Sequence, residues 1–306
     1  MRIAIIGRSE VLYNAALSLL EEGHEIVCIL TSKEAPEYLR NAVEFRELAD
    51  KFRIPFEQGS QIAEYEDFLR NAHADIGISM NYPGILPQSV IDLFPLGVLN
   101  VHGGDLPRYR GNACQAWAII NGEKFIGLCI HRMIGGELDS GDIITRDYIN
   151  IDHNTKVTQV LNWIEVRTPE LIHEALRKLK DNPDYILEKQ SKNLNDTLRC
   201  YPRKPEDGRI NWSQSAIDVI RLINASNKPY AGAFCEFEGE KLIIWDAELL
   251  DDGEVFCAVP GQVTRICDGF IEVACKNTKI KILKCEKNSI ICTPSTFIRS
   301  IRKRLK

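Results

Sequence analysis

The residues able to do chemistry fall in two short stretches. The first is Val98-Leu99-Asn100-Val101-His102-Gly103-Gly104-Asp105-Leu106-Pro107-Arg108-Tyr109-Arg110-Gly111. It reads as a buried strand that ends in two polar side chains and opens into a loop with glycines and a proline. Side chains alternate along a strand, so Asn100 and His102 project to one face. The second is Ile134-Gly135-Gly136-Glu137-Leu138-Asp139-Ser140-Gly141-Asp142-Ile143-Ile144, an acidic loop that leads into another strand. Taken singly, His102 reads more simply as a satisfied histidine at a strand end, and the Asp139 loop as a plain turn. Taken together, Asn100, His102 and Asp139 are a candidate catalytic set. The acidic loop could place a carboxylate against the imidazole.

Such a set needs rigid elements to hold it. Ile3-Ala4-Ile5-Ile6 is a wholly apolar strand closed by Gly7. The spacing of Val11, Leu12, Ala15, Ala16, Leu19 and Leu20 predicts a helix over Glu10–Glu22 that Gly23 ends. Further strands are predicted at Glu25–Thr31, Ile76–Met80 and Val98–Val101, with helices at Glu44–Phe52, Tyr65–Ala72 and Leu86–Leu93. Apolar strands alternating with helices imply a doubly wound, mostly parallel α/β sheet covered on both faces. Polar side chains at the carboxyl end of such strands stand where ligands bind. A dinucleotide site fails at its own motif, because Ser9 and Leu12 occupy the positions of the second and third glycines.

Beyond Asn150 the texture changes. Thr158–Leu179 has helical spacing, with Pro169 expected to kink or divide it. Asp181–Pro205 is polar and holds Pro183, Pro202 and Pro205, which suits a connector. After a helix at Ser215–Ile223 come short strands at Ala233–Phe237, Lys241–Trp245, Gly261–Ile266, Phe270–Ala274 and Lys279–Leu283, the pattern of a small β-barrel. The expected domains are residues 1–180, a linker at 181–205, and a barrel at 206–306.

Composition excludes several classes. With 306 residues, 44% hydrophobic and 26% charged, the chain is long enough for one large and one small core. No apolar run approaches the ~20 residues of a membrane span, and the opening run is too short for a secretory segment, so a cytoplasmic protein is expected. The ten cysteines are scattered without a Cys-x-x-Cys pair, as free thiols in a reducing compartment are. The six histidines fall in no ligand-like spacing, and no metal is expected. A net charge of −5 disfavours a polyanionic partner. The basic tail Arg299–Lys306 is a local exception and reads as a solvated last helical turn.

The pattern Asn100-x-His102, then Leu106-Pro107-x-Tyr109-Arg110-Gly111, then Leu138-Asp139-Ser140-Gly141 resembles the folate-dependent formyltransferase family. Asp207-Gly208-Arg209-Ile210-Asn211-Trp212 and Pro229-Tyr230-Ala231-Gly232-Ala233-Phe234 are similar to the start of that family's second, OB-like barrel domain. The resemblance implies transfer of a formyl group from 10-formyltetrahydrofolate to an amine. The route is a tetrahedral intermediate stabilised by Asn100 and His102, with Asp139 assisting proton transfer. It also implies a folate slot walled by Tyr82, Ile85, Leu86, Pro87, Ile134 and Leu138. The departure is Gly104-Asp105, where the family has Ser-Leu; it puts the acceptor in question, not the chemistry.

For the acceptor, the length and the Pro229–Phe234 segment resemble enzymes that formylate nucleotide-linked amino sugars. On that reading Arg108 and Arg110 meet a diphosphate as bidentate donors, Arg8 is a weaker phosphate candidate, and Asp105 and Tyr109 line the acceptor. Methionyl-tRNA is the alternative, disfavoured by the pI of about 5.8 and by the acidic residues Glu34 and Glu37 in Ser32–Asn41. Two readings lie outside transfer: a catalytically silent sugar-nucleotide-binding subunit, and a hydrolase that releases formate to water. The barrel either binds ligand or serves as the surface of a homodimer, for which apolar strand faces near Val255–Val259 are candidates.

Overall fold

The computed structural model describes residues 1–250 and 252–306. The chain divides into two compact units. The first is Met1–Cys114, Ile126–Ile149 and Leu161–Tyr201; the second is Gln115–Phe125, Asn150–Val160 and Pro202–Lys306.

The first unit is built from β1 (Arg2–Gly7), α1 (Glu10–Glu21), β2 (Glu25–Thr31), α2 (Ala42–Phe52), β3 (Phe56–Gln58), α3 (Glu66–Asn71), β4 (Ile76–Met80), α4 (Gln88–Ile91) and β5 (Val98–His102). There follow β6 (Arg110–Gly111), β7 (Phe125–Arg132), β8 (Ile143–Asn150), α6 (Val157–Asp181, its first turn in the second unit) and β9 (Arg199–Cys200), while α5 (Cys114–Asn121) falls almost wholly in the second unit. Seven strands form one sheet in the order β3-β2-β1-β4-β5-β7-β8. The pairings β2/β3, β1/β2, β1/β4 and β4/β5 are parallel. Ile3, Ala4, Ile5 and Ile6 are all fully buried, which is why β1 is apolar on both faces. Helix α1 turns Val11, Leu12, Ala15, Ala16 and Leu19 inward. Helix α2 starts on a capping box. The Asn41 side chain accepts from the Val43 N–H at 2.8 Å, and the Glu44 carboxylate accepts from the Asn41 N–H at 2.9 Å.

Beyond β5 the sheet reverses. Strand β7 runs antiparallel to β5, setting His131 opposite Asn100 and Cys129 opposite His102. The predicted helix at Leu86–Leu93 is a single turn, α4. Pro169 does not divide its helix: α6 continues through it for 25 residues. The polar 181–205 segment is no free connector. Ile143 and Glu188 form a bridge, and β9 pairs in parallel with β6. Its polarity serves backbone groups of the loops it lies on.

The second unit adds α7 (Ala216–Ala225), β10 (Ala233–Phe237), β11 (Glu240–Leu250), β12 (Val263–Cys267), β13 (Phe270–Ala274), β14 (Lys279–Lys287) and β15 (Ile290–Cys292). The sheet is antiparallel in the order β10-β11-β14-β13-β12, with β15 on β14. Val219, Ile220 and Ile223 of α7 share a buried core with Ile244, Val263, Ile271, Ile280 and Ile282.

The strands themselves leave the sheet open, and the last residues of the chain bridge its two edges. Lys306 and Glu236 exchange backbone bonds at 2.9 and 2.7 Å, Leu305 N–H donates to the Gly261 carbonyl at 2.8 Å, and Val263 N–H to that of Lys303 at 3.1 Å. The tail is therefore extended rather than the helical turn its charges suggested. Backbone partners on two open edges outweigh a helix dipole at a frayed end. Val255 is fully exposed, but residues 254–258 lie outside any strand. Among the described residues no helix is long and apolar enough to cross a membrane.

Candidate active site

Asn100, His102 and Asp139 come together at the carboxyl end of β5. His102 Nδ1 lies 3.4 Å from Asp139 Oδ2, and Asn100 Nδ2 donates to Asp139 Oδ1 at 3.2 Å. His102 is 7% exposed. Its Nε2 faces the Tyr109 carbonyl at 2.7 Å. Both ring nitrogens thus meet oxygen acceptors, and only an imidazolium has two N–H groups to give them.

A second histidine completes the cluster. His131 is 1% exposed, and its Nε2 stands 3.2 Å from Asn100 Nδ2 and 3.5 Å from Asp139 Oδ1. Its Nδ1 lies 2.8 Å from the Arg132 carbonyl. That contact calls for a proton on Nδ1. Charge fixes the Asn100 amide as well: turned over, it would set its oxygen against the Asp139 carboxylate. Asp139 also accepts from the Gly111 N–H at 2.9 Å. Burial alone raises the Asp139 carboxyl. The charge of His102, the hydrogen bond and charge of His131, and the Gly111 N–H outweigh burial and hold it well below the usual carboxylate range.

The family's serine is missing at Gly104 for a visible reason. A Cβ there would stand 2.5 Å from His102 Nε2 and from the Tyr109 oxygen. The glycine lets the imidazole lie on that carbonyl. The same carbonyl accepts from the Cys114 thiol at 2.9 Å. Its hydrogen bond with Cys200, together with burial, pushes that thiol up and keeps it a donor. Asp105 faces Arg146 at 4.0 Å and is hydrogen bonded to Tyr148. The second half of the departure is thus an internal charge pair, and Arg146 also reaches the Leu106 carbonyl and Glu188.

The remaining sequence candidates separate. Tyr82, half-buried, donates from its hydroxyl to the Gly59 carbonyl at 3.1 Å, and burial pushes that phenol up to about 12. Leu86 is fully buried, whereas Ile85 is 52% and Ile134 38% exposed. Pro87 caps α4, and Leu138 is half-buried. The two loops are tied by Gly136 N–H to the Leu86 carbonyl at 3.1 Å and Gly135 N–H to Gln88 Oε1 at 2.9 Å. A Cβ on Gly135 would stand 2.3 Å from the Gln88 nitrogen, so only glycine allows this approach. Two exposed isoleucines beside backbone groups suit a flat heterocycle.

Of the acceptor candidates, Arg8 spends its donors on the Asn81 and Lys33 carbonyls, and Arg110 donates to Gln190 Oε1 at 2.8 Å. Tyr109 is 2% exposed and contributes its carbonyl to the site, while Arg108 is exposed beside the Tyr109 ring. Sequence reading passed over His131, Gln190 and the Gly111 N–H. Only His131 carried a signal, the alternation Cys129-Ile130-His131. Among the described residues no group of three or more His, Cys, Asp or Glu could hold a metal ion, and all ten cysteines are free.

Comparison with known proteins gives this geometry a family. Residues 1–176 match the formyl transferase family and residues 203–302 its C-terminal domain. The methionyl-tRNA formyltransferase of Acetivibrio thermocellus is 30% identical over 94% of this chain and 93% of its own length. The bifunctional polymyxin resistance protein ArnA of Wigglesworthia glossinidia brevipalpis is 26% identical over 94% of this chain but only 43% of its own. Among solved structures, the sugar 3N-formyl transferase WlaRD superposes with a TM-score of 0.68 over 95% of this chain and 98% of its own, at 16% identity. With both domains matched in order along nearly its whole length, the chain belongs to the formyl transferase family and is a folate-dependent formyltransferase.

Proposed function

We propose that the protein transfers the formyl group of 10-formyltetrahydrofolate to the amine of methionyl-tRNA. The observation that carries the chemistry is Asp139, kept ionised between His102 and His131 with Asn100 alongside. When bound, the folate supplies an activated formyl carbon. The loops Tyr82–Pro87 and Ile134–Leu138 hold its ring, with Ile85 and Ile134 offering apolar surface. Asn100 and His102 stabilise the charge that develops on the formyl oxygen. Their N–H groups are held by Asp139 and Tyr109, and these are the bonds a substrate must exchange. Asp139 keeps positive charge on the imidazole and assists the proton leaving the amine.

The acceptor rests on the methionyl-tRNA formyltransferase likeness, which moves the weight away from the amino sugar expected from charge and length. One surface feature agrees: Arg299, Arg302, Arg304 and Lys306 are exposed on the second unit and suit a phosphate backbone. The net charge of −5 favours a second reading, a nucleotide-linked amino sugar. The test is formyl transfer from 10-formyltetrahydrofolate at low salt, with initiator methionyl-tRNA, a panel of nucleotide-linked amino sugars and a no-acceptor control. Turnover with tRNA alone is the expected outcome. Turnover with a sugar alone replaces the acceptor, and turnover without any acceptor makes the protein a hydrolase.

A further inference from the structure

Gln190 lies in the segment after α6, far along the chain from the catalytic cluster, yet it holds the loop that carries Asp139. Its Nε2 donates to the Asp139 carbonyl at 3.0 Å and to the Gly141 carbonyl at 2.6 Å. Its Oε1 accepts from Arg110 at 2.8 Å, and its backbone N–H donates to Asp142 Oδ1 at 3.2 Å. The residue is 7% exposed. Every hydrogen-bonding group of this side chain is therefore spent on two loops, the one bearing Asp139 and the one bearing Arg110 and Gly111. These are the loops whose separation sets the bond from Gly111 N–H to Asp139 Oδ2, at 2.9 Å.

The Asp139 loop needs such a clamp. Asp139 has φ 47°, a left-handed conformation that costs a residue with a Cβ about 1 kcal/mol or more and persists only where its surroundings impose it. Two donors on the carbonyls of Asp139 and Gly141, one on either side of Ser140, impose it. A carboxylate of the same shape would keep the Arg110 pair but set its oxygens against both carbonyls.

We infer that Gln190 is a positioning residue for formyl transfer, acting through Asp139 by fixing the backbone from which its carboxylate reaches His102 and Gly111. This rests on the role proposed for Asp139. A residue that acts only through Asp139 has nothing left to contribute once that carboxylate is gone, so the test is a double-mutant cycle on the full chain. Turnover is measured with saturating acceptor for wild type, Gln190→Ala, Gln190→Glu, Asp139→Asn and Gln190→Ala/Asp139→Asn, with thermal midpoints recorded alongside. Expected are losses of kcat of roughly 10- to 100-fold for both Gln190 variants, with KM for the folate within about twofold. In the Asp139→Asn background, Gln190→Ala is expected to change kcat by less than about twofold. Additive losses, or either Gln190 variant with wild-type kcat, overturn the inference. Asp139→Asn with wild-type turnover overturns instead the role of Asp139, and this inference with it.

Discussion

Each unit holds charge away from water, and the two arrangements are built to opposite ends. In the first unit Asp139, its side chain 9% exposed, is surrounded by His102, His131, Asn100 and a backbone N–H. In the second, Lys279 is 1% exposed and is ion-paired to Asp252 at 2.9 Å, to Glu272 at 3.5 Å and to Glu254. Burial opposes the Lys279 charge, but its bonds to Glu254 and Asp252 hold the ammonium above its ordinary range. Among the described residues the ion-pair partners of Lys279 are all carboxylates, and the Phe256 ring lies 5.6 Å from its Nζ. The partners of Asp139 include two imidazoles, whose ring nitrogens can each donate or accept a hydrogen bond. The backbones differ in the same sense. Lys279 sits in a regular strand, whereas Asp139 and Tyr109 adopt left-handed φ of 47° and 49°. A buried charge alone does not mark a functional site; titratable partners on a strained loop do.

The sharpest way to break this contrast is to neutralise each charge. Asp139→Asn should lower kcat by about 10²- to 10³-fold with a smaller loss of stability than Lys279→Met, read by initial rates and urea unfolding. Lys279→Met should do the reverse. It leaves the buried Glu272 with only the exposed Arg265 at 3.6 Å and should cost about 3 kcal/mol in urea unfolding, with turnover per folded molecule unchanged. Asp252 and Glu254 are partly exposed and add little to that loss. A stability loss for Asp139→Asn as large as for Lys279→Met would erase the distinction.

How far the sequence reveals these two regions follows from how local each one is. The parallel strands were legible because an apolar run such as Ile3–Ile6 can only be a strand buried on both faces. Asn100 and His102 were legible because period-two alternation is a property of the strand itself. For His131 the alternation Cys129-Ile130-His131 gives a face but not a role, which comes from lying opposite Asn100 on an antiparallel neighbour, a pairing that no local pattern announces. Gln190 was hidden for a similar reason: a polar segment with prolines looks the same whether it is free or bonded to a loop. The tail misled because its charges describe a helix end, while its backbone is claimed by the open edges of β10 and β12. The Lys279 cage draws Asp252, Glu254 and Glu272 from separate stretches, so no single segment showed it.

The smallest predicted effect also separates the two regions most cleanly, because the signs differ. Asp139 is depressed in the folded protein, so its stabilisation is complete above the ordinary carboxyl pKa of about 3.9 and fades as pH falls toward the lower folded value. Lys279 is raised, so its stabilisation is complete below the ordinary lysine pKa of about 10.4 and fades as pH climbs toward the higher folded value. The expected outcome in urea unfolding is that wild type loses stability relative to Asp139→Asn only below about pH 4, and relative to Lys279→Met only above about pH 10. Between those limits the Lys279→Met difference should be flat. A slope in it between about pH 5 and 8 would mean that a carboxylate of the cage takes up a proton there, against the charge that the ammonium holds beside it.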